Sequence, residues 1–297
     1  MDKRFTIQFN ATTDGQLLRE AIGQFGISKR ALTAIKFDGG EILVNGSEQN
    51  VRFQLTAGDA VTIKFPLEEA SVGLVPEQGE LNIIYEDDYV LVIDKPPYQS
   101  TIPSREHPTG SVANVVLSHL QRGDVASTVH VVTRLDRDTS GLMCIAKHRH
   151  IHHLMSEQQK ARAIHREYEA LVHGEVEDQS IIAPIGRKET SIIEREVRED
   201  GQFAHTDVRL LAAYFIENEP ISHVRLKLHT GRTHQIRVHM SAIGHPLVGD
   251  ELYGGKRELM VRQALHCAYL HFIHPITGEA LTFTSELPDD MQRTFKH

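Results

Sequence analysis

The sequence predicts an α+β protein in which a large domain with a mixed or mostly antiparallel sheet follows a small N-terminal α/β domain. Three observations support this prediction. Apolar residues change between helical and strand spacing along the 297-residue chain, without the regular strand–helix alternation of a parallel sheet. An acidic, aperiodic segment that contains Gly and Pro, residues 68–79, separates residues 1–67 from residues 80–297. The sequence contains no internal repeat.

Residues 1–67 contain the elements of the small domain. Apolar residues from Leu17 to Phe25 have helical spacing, and a second short helix fits Lys29 to Ile35. A Gly-Gly turn then precedes the strand sequence EILVNG, and the alternating sequence VRFQLTAGDAVTIKF predicts further strands around a second turn. We therefore expect two helices and a few short strands.

The large domain begins with LNIIYEDDYVLVIDKPP, which predicts two strands around an acidic turn. The apolar run GLMCIA predicts a buried strand, and KHRHIHHLMSEQQKARA predicts the helix that follows it. REYEALVHGEV and VRLKLH each predict a strand. The last helix is predicted from Arg232 to Ile243, with Gly244 as its C-terminal cap.

Composition limits the class of protein. No apolar run approaches the ~20 residues that span a bilayer, and the N-terminal sequence lacks the apolar core of a secretory signal. The two cysteines, Cys144 and Cys267, lie far apart, which argues against a disulfide and against a thiolate zinc site. We therefore expect a cytoplasmic protein with no membrane partner.

Charge is distributed unevenly along the chain. The formal net charge of −8 argues against a polyanionic partner. Eight acidic residues and no basic ones lie between Glu68 and Asp94, whereas segments 131–166 and 222–262 each contain seven basic and three acidic residues. Since the local field decides whether a phosphate can bind, the net charge does not exclude a nucleic-acid partner.

The sequence VTRLDRDTSG places four charges directly before the predicted buried strand. Asp136 lies in this loop between Arg134 and Arg137, and nearby positive charge favours the ionised carboxylate. An ionised carboxylate at the end of a rigid strand suits a nucleophile or a base. The alternative is a surface turn whose charges pair with one another.

Two further segments contain candidate binding residues. Four cations lie at the start of the last predicted helix, where the helix N-terminus also attracts anions, and would form a phosphate-binding surface: Arg232, His234, Arg237 and His239. Tyr168 lies in the predicted strand REYEALVHG, where its ring would be able to stack on an extruded base. A solvated basic helix face and an ordinary core tyrosine are the alternatives.

Together these segments resemble the RluA family of RNA pseudouridine synthases. VTRLDRDTSGL is similar to the family signature H-R-L-D-x-x-T-S-G, and REYEALVHG to its tyrosine motif. LHTGRTHQIRVHMSAIGHPLVGDELYG is similar to the basic motif, and ALHCAYLHFIHPITGEALTF to the closing strands. The resemblance covers roughly residues 80 to 290. Residues 1–67 are similar to a small RNA-binding domain shared with a small-subunit ribosomal protein, although its basic residues are few here.

The resemblance implies roles for the candidate residues. Asp136 is then the catalytic aspartate, Tyr168 the ring that packs against the target uracil, and Arg237 the cation paired with Asp136. Arg134 would hold the target nucleotide or take its place, and Leu265 would form an apolar wall of the uracil pocket. Arg232 and His234 complete the predicted substrate-binding set. The chain departs from the family pattern at Thr133, where histidine is usual, and at Tyr98, where glycine is usual.

The resemblance also implies the reaction. The enzyme would isomerise specific uridines to pseudouridine in structured RNA, most often large-subunit ribosomal RNA, with transfer RNA as the second choice. The isomerisation involves no redox change, so we expect no cofactor and no metal. RNA is the expected partner, and no protein partner is inferred. Whether Asp136 attacks the ribose or removes a proton stays open.

Three other interpretations compete with this one. The 19 histidines, above all His148, His150, His152 and His153 on the predicted helix, suggest a metal site, but no H-E-x-x-H pattern is present. A binding protein without catalysis is disfavoured because the aspartate, tyrosine and arginine are all present. A glycosidase pair would need a second acid in a comparable motif, and Asp138 does not qualify.

Overall fold

The computed structural model describes residues 4–69, 71, 73–104, 108–123 and 128–295. Within these residues, one sheet forms from the N-terminal segment and a larger sheet forms from the rest of the chain. No helix among them is both long enough and apolar enough to cross a bilayer.

The N-terminal sheet has four antiparallel strands in the order β1-β4-β2-β3. The strands are β1 (Thr6–Asn10), β2 (Glu41–Val44), β3 (Ser47–Glu48) and β4 (Ala60–Lys64). Two helices accompany the sheet, α1 (Leu18–Gln24) and α2 (Lys29–Phe37). Ser28 caps α2, since its side chain accepts a hydrogen bond from the amide of Ala31. These elements share a hydrophobic cluster of their own, which includes Leu18, Ile22 and Ile63.

Twelve strands follow in the described chain: β5 (Ile83–Glu86), β6 (Val90–Lys95), β7 (His130–Val131), β8 (Ser140–Ala146), β9 (His165–His173), β10 (Gln179–Ile182), β11 (Ile185–Arg187), β12 (Arg195–Val197), β13 (His205–Ile216), β14 (Glu219–Leu228), β15 (Leu265–Ile273) and β16 (Ala280–Thr284). All except the β11–β12 pair belong to one sheet, whose main path is β10-β13-β14-β9-β15-β8-β6-β5. The helices are α3 (Val112–Arg122), α4 (Arg149–Lys160), α5 (Gln235–Ala242) and α6 (Asp289–Thr294).

This larger sheet is mixed, as predicted. Its described strand pairs are antiparallel except for β8 and β15, which run parallel. Together with the helices on the sheet, this pairing makes the protein an α+β fold. The predicted α+β class is therefore confirmed.

Strand β8 lies near the centre of the sheet and is buried along its whole length. Its apolar sequence fits a position that is covered on both faces. Gly141 adopts a φ of +113°, and a Cβ atom there would collide with the backbone of Cys267 on β15. The glycine of the TSG sequence thus permits the close approach of two strands beside the loop that contains Asp136.

The N-terminal elements pack against the start of α4 through aromatic and histidine side chains. The ring of Phe5 stacks on His148 with centroids 4.2 Å apart, and the ring of Phe65 stacks on His150 at 5.1 Å. Glu68, at the start of the predicted linker, is buried and accepts a hydrogen bond from the backbone amide of Arg149. The domain limits themselves stay a prediction, but two separate hydrophobic clusters support them.

The histidines at this interface predict a pH-dependent stability. Burial lowers the pKa of His150 to about 4, so the unfolded chain binds more protons below pH 6.5 and the folded state loses stability as the pH falls from 6.5 towards 4. At pH 5 the loss is about 2 kcal/mol for this group. We expect His150→Phe to reduce the decrease in melting temperature between pH 7.5 and pH 5, as measured by calorimetry.

His153 provides the control, because it lies on the same helix and is exposed. His153→Phe should change the pH dependence of the melting temperature much less than His150→Phe does, because the charge of His153 contributes less than burial to the lowered pKa of His150. An equal change in both variants would contradict the assignment of the effect to burial of His150.

Candidate active site

A cavity of about 170 Å³ opens at the point where β8, β9 and β15 meet. Its volume is below the ~300 Å³ of drug-sized sites and suits one small ring. All seven residues selected from the sequence line it: Arg134, Asp136, Tyr168, Arg232, His234, Arg237 and Leu265. The structure therefore brings the whole predicted set together, while the role of each residue stays a prediction.

The strand pairing explains why these distant residues meet. Asp136 lies in the loop just before β8, and Leu265 is the first residue of β15. Cys267 on β15 pairs with Gly141 of β8 on one side and with Tyr168 of β9 on the other. The register of three neighbouring strands thus places the aspartate loop, the tyrosine and the leucine at one edge of the cavity.

Arg237 lies between two carboxylates. It donates Nε and Nη2 to the two carboxyl oxygens of Asp250, at 2.7 and 2.8 Å, and Nη1 to Oδ2 of Asp136 at 3.1 Å. The exposed fractions of the side chains are 8% for Arg237, 1% for Asp250 and 29% for Asp136. Burial alone would lower the pKa of Arg237, but the ion pairs with Asp250 and Asp136 raise it. Asp250 therefore fixes the guanidinium, and the guanidinium orients the more accessible Asp136.

The prediction that Arg134 and Arg137 hold Asp136 was wrong. Arg137 instead pairs with Asp138 at 3.1 Å and is exposed. The guanidinium of Arg134 forms no hydrogen bond or ion pair with any residue that the structure describes, and it lies at the mouth of the cavity. Neighbouring side chains on an extended loop point in different directions, so charge adjacent in sequence did not become charge adjacent in space.

The backbone of the aspartate loop is held by three donors from distant parts of the chain and by one amide of the loop itself. Four successive carbonyl groups, residues 135–138, each accept a hydrogen bond. The donors, in order, are the Thr101 hydroxyl at 2.6 Å, the Thr139 amide at 3.1 Å, the Lys95 ammonium at 3.0 Å and the Arg262 guanidinium at 3.0 Å. This network fixes the position of the Asp136 carboxylate through its own main chain.

Two of these donors are buried cations. Burial lowers the pKa of Lys95 to about 7, and its ammonium also donates to the carbonyls of Pro96 and Gln99. Arg262 has no exposed side-chain surface and pairs with Asp290 through two hydrogen bonds of 2.6 and 2.8 Å. A buried cation needs such partners, because without them burial would favour its neutral form.

Tyr168 forms one wall of the cavity. The residue is only 4% exposed, and burial raises the pKa of its phenol, so the phenol stays neutral near pH 7. Leu265 lines the same cavity and is buried. The combination of a flat ring and an apolar wall suits a planar base, which must leave its stack to enter.

The basic helix differs from its prediction. Helix α5 begins at Gln235 rather than at Arg232, and His234 at its N-cap adopts a left-handed conformation with a φ of 57°. The Gln235 side chain explains the shift. Its oxygen accepts hydrogen bonds from the Thr230 hydroxyl and the Arg232 amide, and its nitrogen donates to the His205 carbonyl. These contacts keep residues 230–234 in a turn.

The predicted phosphate-binding surface of four cations was therefore only partly right. His239 is fully buried and contacts the Thr206 hydroxyl and the Ala183 carbonyl, so it is not available to a phosphate. The guanidinium of Arg237 is already hydrogen-bonded to Asp250 and Asp136. Arg232 reaches the cavity, and its guanidinium also donates to the Phe203 carbonyl at 2.9 Å.

His234 lies beside the same oxygen of the aspartate. Its Nε2 lies 3.7 Å from Oδ2 of Asp136, and its Nδ1 lies 2.8 Å from the hydroxyl of Tyr253. Burial lowers the pKa of His234, which favours the neutral ring. The Tyr253 hydroxyl accepts from the Arg195 amide. If it donates its own proton to Nδ1, the Nε2 atom of His234 bears the ring proton and faces Asp136.

Sequence reasoning missed the supporting residues of the site. Asp250 and Tyr253 occur in the basic motif, in VGDELYG, and an acid that follows four cations was the available signal for a partner of Arg237. Lys95 directly precedes the Pro-Pro sequence. Arg262 lies in an ordinary charged segment, and nothing in its local sequence indicates burial.

Comparison with known proteins agrees with this geometry. The family described as RNA pseudouridylate synthase matches residues 89–242, which include Asp136, Tyr168 and Arg237. The chain belongs to this family of RNA pseudouridine synthases, in its RluA branch. The predicted enzyme class is therefore confirmed.

Several relatives of this synthase extend over nearly the whole chain. The uncharacterized RNA pseudouridine synthase YjbO of Bacillus subtilis is 51% identical, over 94% of this chain and 98% of that protein. Ribosomal large subunit pseudouridine synthase D of Pseudomonas aeruginosa is 36% identical, over 93% of this chain and 90% of that protein. Among solved structures, human RNA pseudouridylate synthase domain containing 1 superposes with a TM-score of 0.60 and 27% identity, over 74% of this chain and 90% of that one.

The Arg237–Asp250 pair predicts a separation of catalysis from binding in the synthase. Asp250→Asn removes the buried negative charge that fixes the guanidinium, so Asp136 loses its orientation. We expect the rate of pseudouridine formation at saturating RNA to fall at least tenfold, while the Kd for RNA changes less than threefold. A single-turnover assay and a filter-binding titration measure the two quantities.

Glu251→Gln is the matched control, because Glu251 is the next residue and forms an exposed ion pair with Arg257. It should leave both quantities unchanged. A full rate in Asp250→Asn, in a variant that remains folded, would show that Arg237 does not need its second carboxylate.

Proposed function

We propose that this synthase isomerises specific uridines in large-subunit ribosomal RNA and that Asp136 performs the chemistry. The observation that carries the catalytic assignment is the accessible carboxylate of Asp136, which Arg237 holds beside Tyr168 in a ring-sized cavity. The ribosomal substrate rests on relatives named ribosomal large subunit pseudouridine synthase D, at 36–37% identity. Transfer RNA is the second choice.

In the proposed mechanism, the target uridine leaves its stack and enters the cavity between Tyr168 and Leu265. Unstacking costs a few kcal/mol, and least in loops, so structured loops are the favoured substrates. The glycosidic bond between a ring nitrogen and the ribose breaks, the uracil turns within the cavity, and a ring carbon bonds to the same ribose. That ring carbon then loses its proton and the freed ring nitrogen gains one, so the product is an isomer of the substrate. Asp136 either attacks the ribose carbon of the glycosidic bond or removes a proton from the adjacent ribose carbon. Both routes require the ionised carboxylate.

A groove beside the cavity supports the RNA assignment. It has a volume of about 860 Å³ and shares Arg134, Arg166 and Arg232 with the cavity. Its described lining includes six Lys or Arg residues and no carboxylate, and the remaining three of the six are Lys160, Arg162 and Lys227. A continuous cationic surface of this kind attracts a phosphate backbone despite a net charge of −8. The backbone on one side of the flipped uridine would follow this groove.

The N-terminal domain, residues 1–67, is proposed to add a second RNA contact. Its exposed cations on α2, Lys29, Arg30 and Lys36, lie on one short helix. Three cations provide a modest electrostatic contribution, so this domain would orient the RNA more than it would increase affinity. We also propose a cytoplasmic location, which the two free, buried cysteines support.

The catalytic assignment predicts that Asp136→Asn abolishes product and retains binding. Asparagine keeps the shape of the side chain but supplies neither a nucleophile nor a base. We expect no pseudouridine above background after prolonged incubation and an RNA affinity within about threefold of the wild type. Pseudouridine mapping by primer extension after carbodiimide treatment, together with a binding titration, measures both.

Asp138→Asn is the control, because Asp138 lies in the same loop but pairs with the exposed Arg137. It should remain active. If Asp136→Asn retained a substantial rate, the assignment of the chemistry to this carboxylate would be wrong.

The substrate assignment predicts which RNA changes in a strain that lacks the protein. Mapping of total RNA should show the loss of pseudouridine at one or a few positions of large-subunit ribosomal RNA. Plasmid-borne wild type should restore these positions, and plasmid-borne Asp136→Asn should not. Loss confined to transfer RNA would overturn the ribosomal substrate and leave the catalytic assignment intact.

A further inference from the structure

A cluster of metal-ligand side chains lies outside the catalytic cavity. His205, Asp207 and His229 are the only group of three or more His, Cys, Asp or Glu residues within the described chain whose ligand atoms converge, and these atoms all lie within 4.8 Å of one another. The histidines on α4, which the sequence suggested as metal ligands, do not form such a group among the described residues. Two of them, His148 and His150, pack instead on phenylalanine rings.

The sheet preorganises this cluster. His205 and Asp207 are two residues apart on β13, so their side chains lie on the same face of the sheet. His229 directly follows β14, and its amide donates to the carbonyl of His205 at 3.2 Å. The backbone of two paired strands therefore holds the three side chains in position without any ion.

The side-chain geometry brings the ligand atoms of all three groups together around the carboxylate of Asp207. Nε2 of His205 lies 3.1 Å from Oδ1 of Asp207, and Nε2 of His229 lies 2.6 Å from Oδ2 of the same carboxylate. The two imidazole rings stack with centroids 4.1 Å apart and an interplanar angle of 14°. Ligand atoms of a tetrahedral zinc site are ~3.3 Å apart, which follows from bonds of ~2.0–2.1 Å. Rotation of the two stacked rings about their side-chain torsions would meet this spacing and turn both Nε2 atoms towards one ion.

A neighbouring hydroxyl orients the carboxylate of this cluster, and all three side chains are accessible to solvent. Ser180 on β10 faces Asp207 across the sheet and donates its hydroxyl to Oδ1, an outer-shell contact of the kind that orients ligating carboxylates. The three side chains are 22%, 39% and 28% exposed, so an ion can enter and water can complete its coordination. Lys227 is opposite Asp207 in the strand register, but its ammonium is not within ion-pair distance of that carboxylate among the described contacts.

We propose that His205, Asp207 and His229 form a binding site for one divalent transition-metal ion, with Zn²⁺ as the representative. Two imidazoles and one carboxylate are a borderline-soft ligand set that selects zinc and similar ions over magnesium or calcium. The site is not part of the isomerisation chemistry. The site lies at the base of the turn that follows His229 and continues to His234. In this turn, the Thr230 hydroxyl accepts a hydrogen bond of 3.0 Å from the amide of His205. A bound ion would replace two hydrogen bonds by three coordinate bonds and stiffen that turn.

The test is a titration of the chelator-treated full-length protein with Zn²⁺, followed by calorimetry. We expect one equivalent of Zn²⁺ to bind with an affinity well above that of the other histidines. His229→Ala and Asp207→Asn should each lower the affinity for this Zn²⁺ ion at least a hundredfold, and Ser180→Ala should lower it about tenfold. Saturating Zn²⁺ should raise the melting temperature of the wild type by several degrees and leave that of Asp207→Asn unchanged.

His271→Ala is the matched control. His271 belongs to another stacked histidine pair on the same sheet, with His165 at 5.6 Å, and hydrogen-bonds to Thr282 rather than to a carboxylate. This variant should bind Zn²⁺ like the wild type. Equal zinc affinity in the wild type and in His229→Ala, or a loss in His271→Ala of the same size, would show adventitious histidine binding only and overturn the proposal. Neither result depends on which RNA the enzyme modifies.

Discussion

The active site depends on one guanidinium that is buried between two carboxylates. Arg237 directs two of its three hydrogen bonds at Asp250 and one at Asp136. Because Asp250 is almost fully buried, its charge is balanced by Arg237 and by little else, and the pair holds together strongly. Asp136 is more exposed and receives the remaining N–H group. The Asp136 carboxylate is thus oriented by a cation that is already paired, so its own negative charge is not fully compensated.

This division of bonds explains why a second acid is useful. A lone arginine opposite Asp136 would form a bidentate pair and occupy both carboxyl oxygens. With Asp250 present, one contact of 3.1 Å remains, and the other oxygen of Asp136 is free of the guanidinium. The carbonyl network of residues 135–138 then supplies the rigidity that a single hydrogen bond to the side chain cannot provide. The main-chain network thus fixes the loop, whereas Arg237 orients the Asp136 carboxylate and balances its charge.

The sequence predicted those parts of the fold and site that are encoded in contiguous residues. The strand GLMCIA, the helix that contains His150 and the strand that contains Tyr168 follow directly from apolar spacing. The motif residues followed from resemblance. The start of α5 did not follow, because cations continue the helical spacing back to Arg232 and only the tertiary contacts of Gln235 interrupt it. Local pattern cannot report a side chain that bonds across the fold.

The same limit applies to the partners of the charged loop. Arg134 and Arg137 lie beside Asp136 in sequence, yet its partner is 101 residues away. The Arg262 guanidinium that binds the Asp138 carbonyl is 124 residues away. These pairings depend on strand order, above all on the parallel placement of β8 beside β15, which no periodicity encodes. The local sequence therefore identified the charged residues but not the ion pairs and hydrogen bonds that they form.

The distribution of charge over the sheet resolves the conflict between a net charge of −8 and an RNA substrate. Strands β5 and β6, which are in the most acidic stretch of sequence, form one edge of the larger sheet, whereas β9 and β14 supply the groove from its interior. Two of the acids at this edge already have partners, since Glu86 pairs with Lys147 and Asp87 with His274. At ~8 Å of screening length in physiological salt, a phosphate in the groove interacts mainly with the groove. An acidic protein can therefore bind a polyanion where its cations are concentrated on one surface, as they are in the lining of this groove.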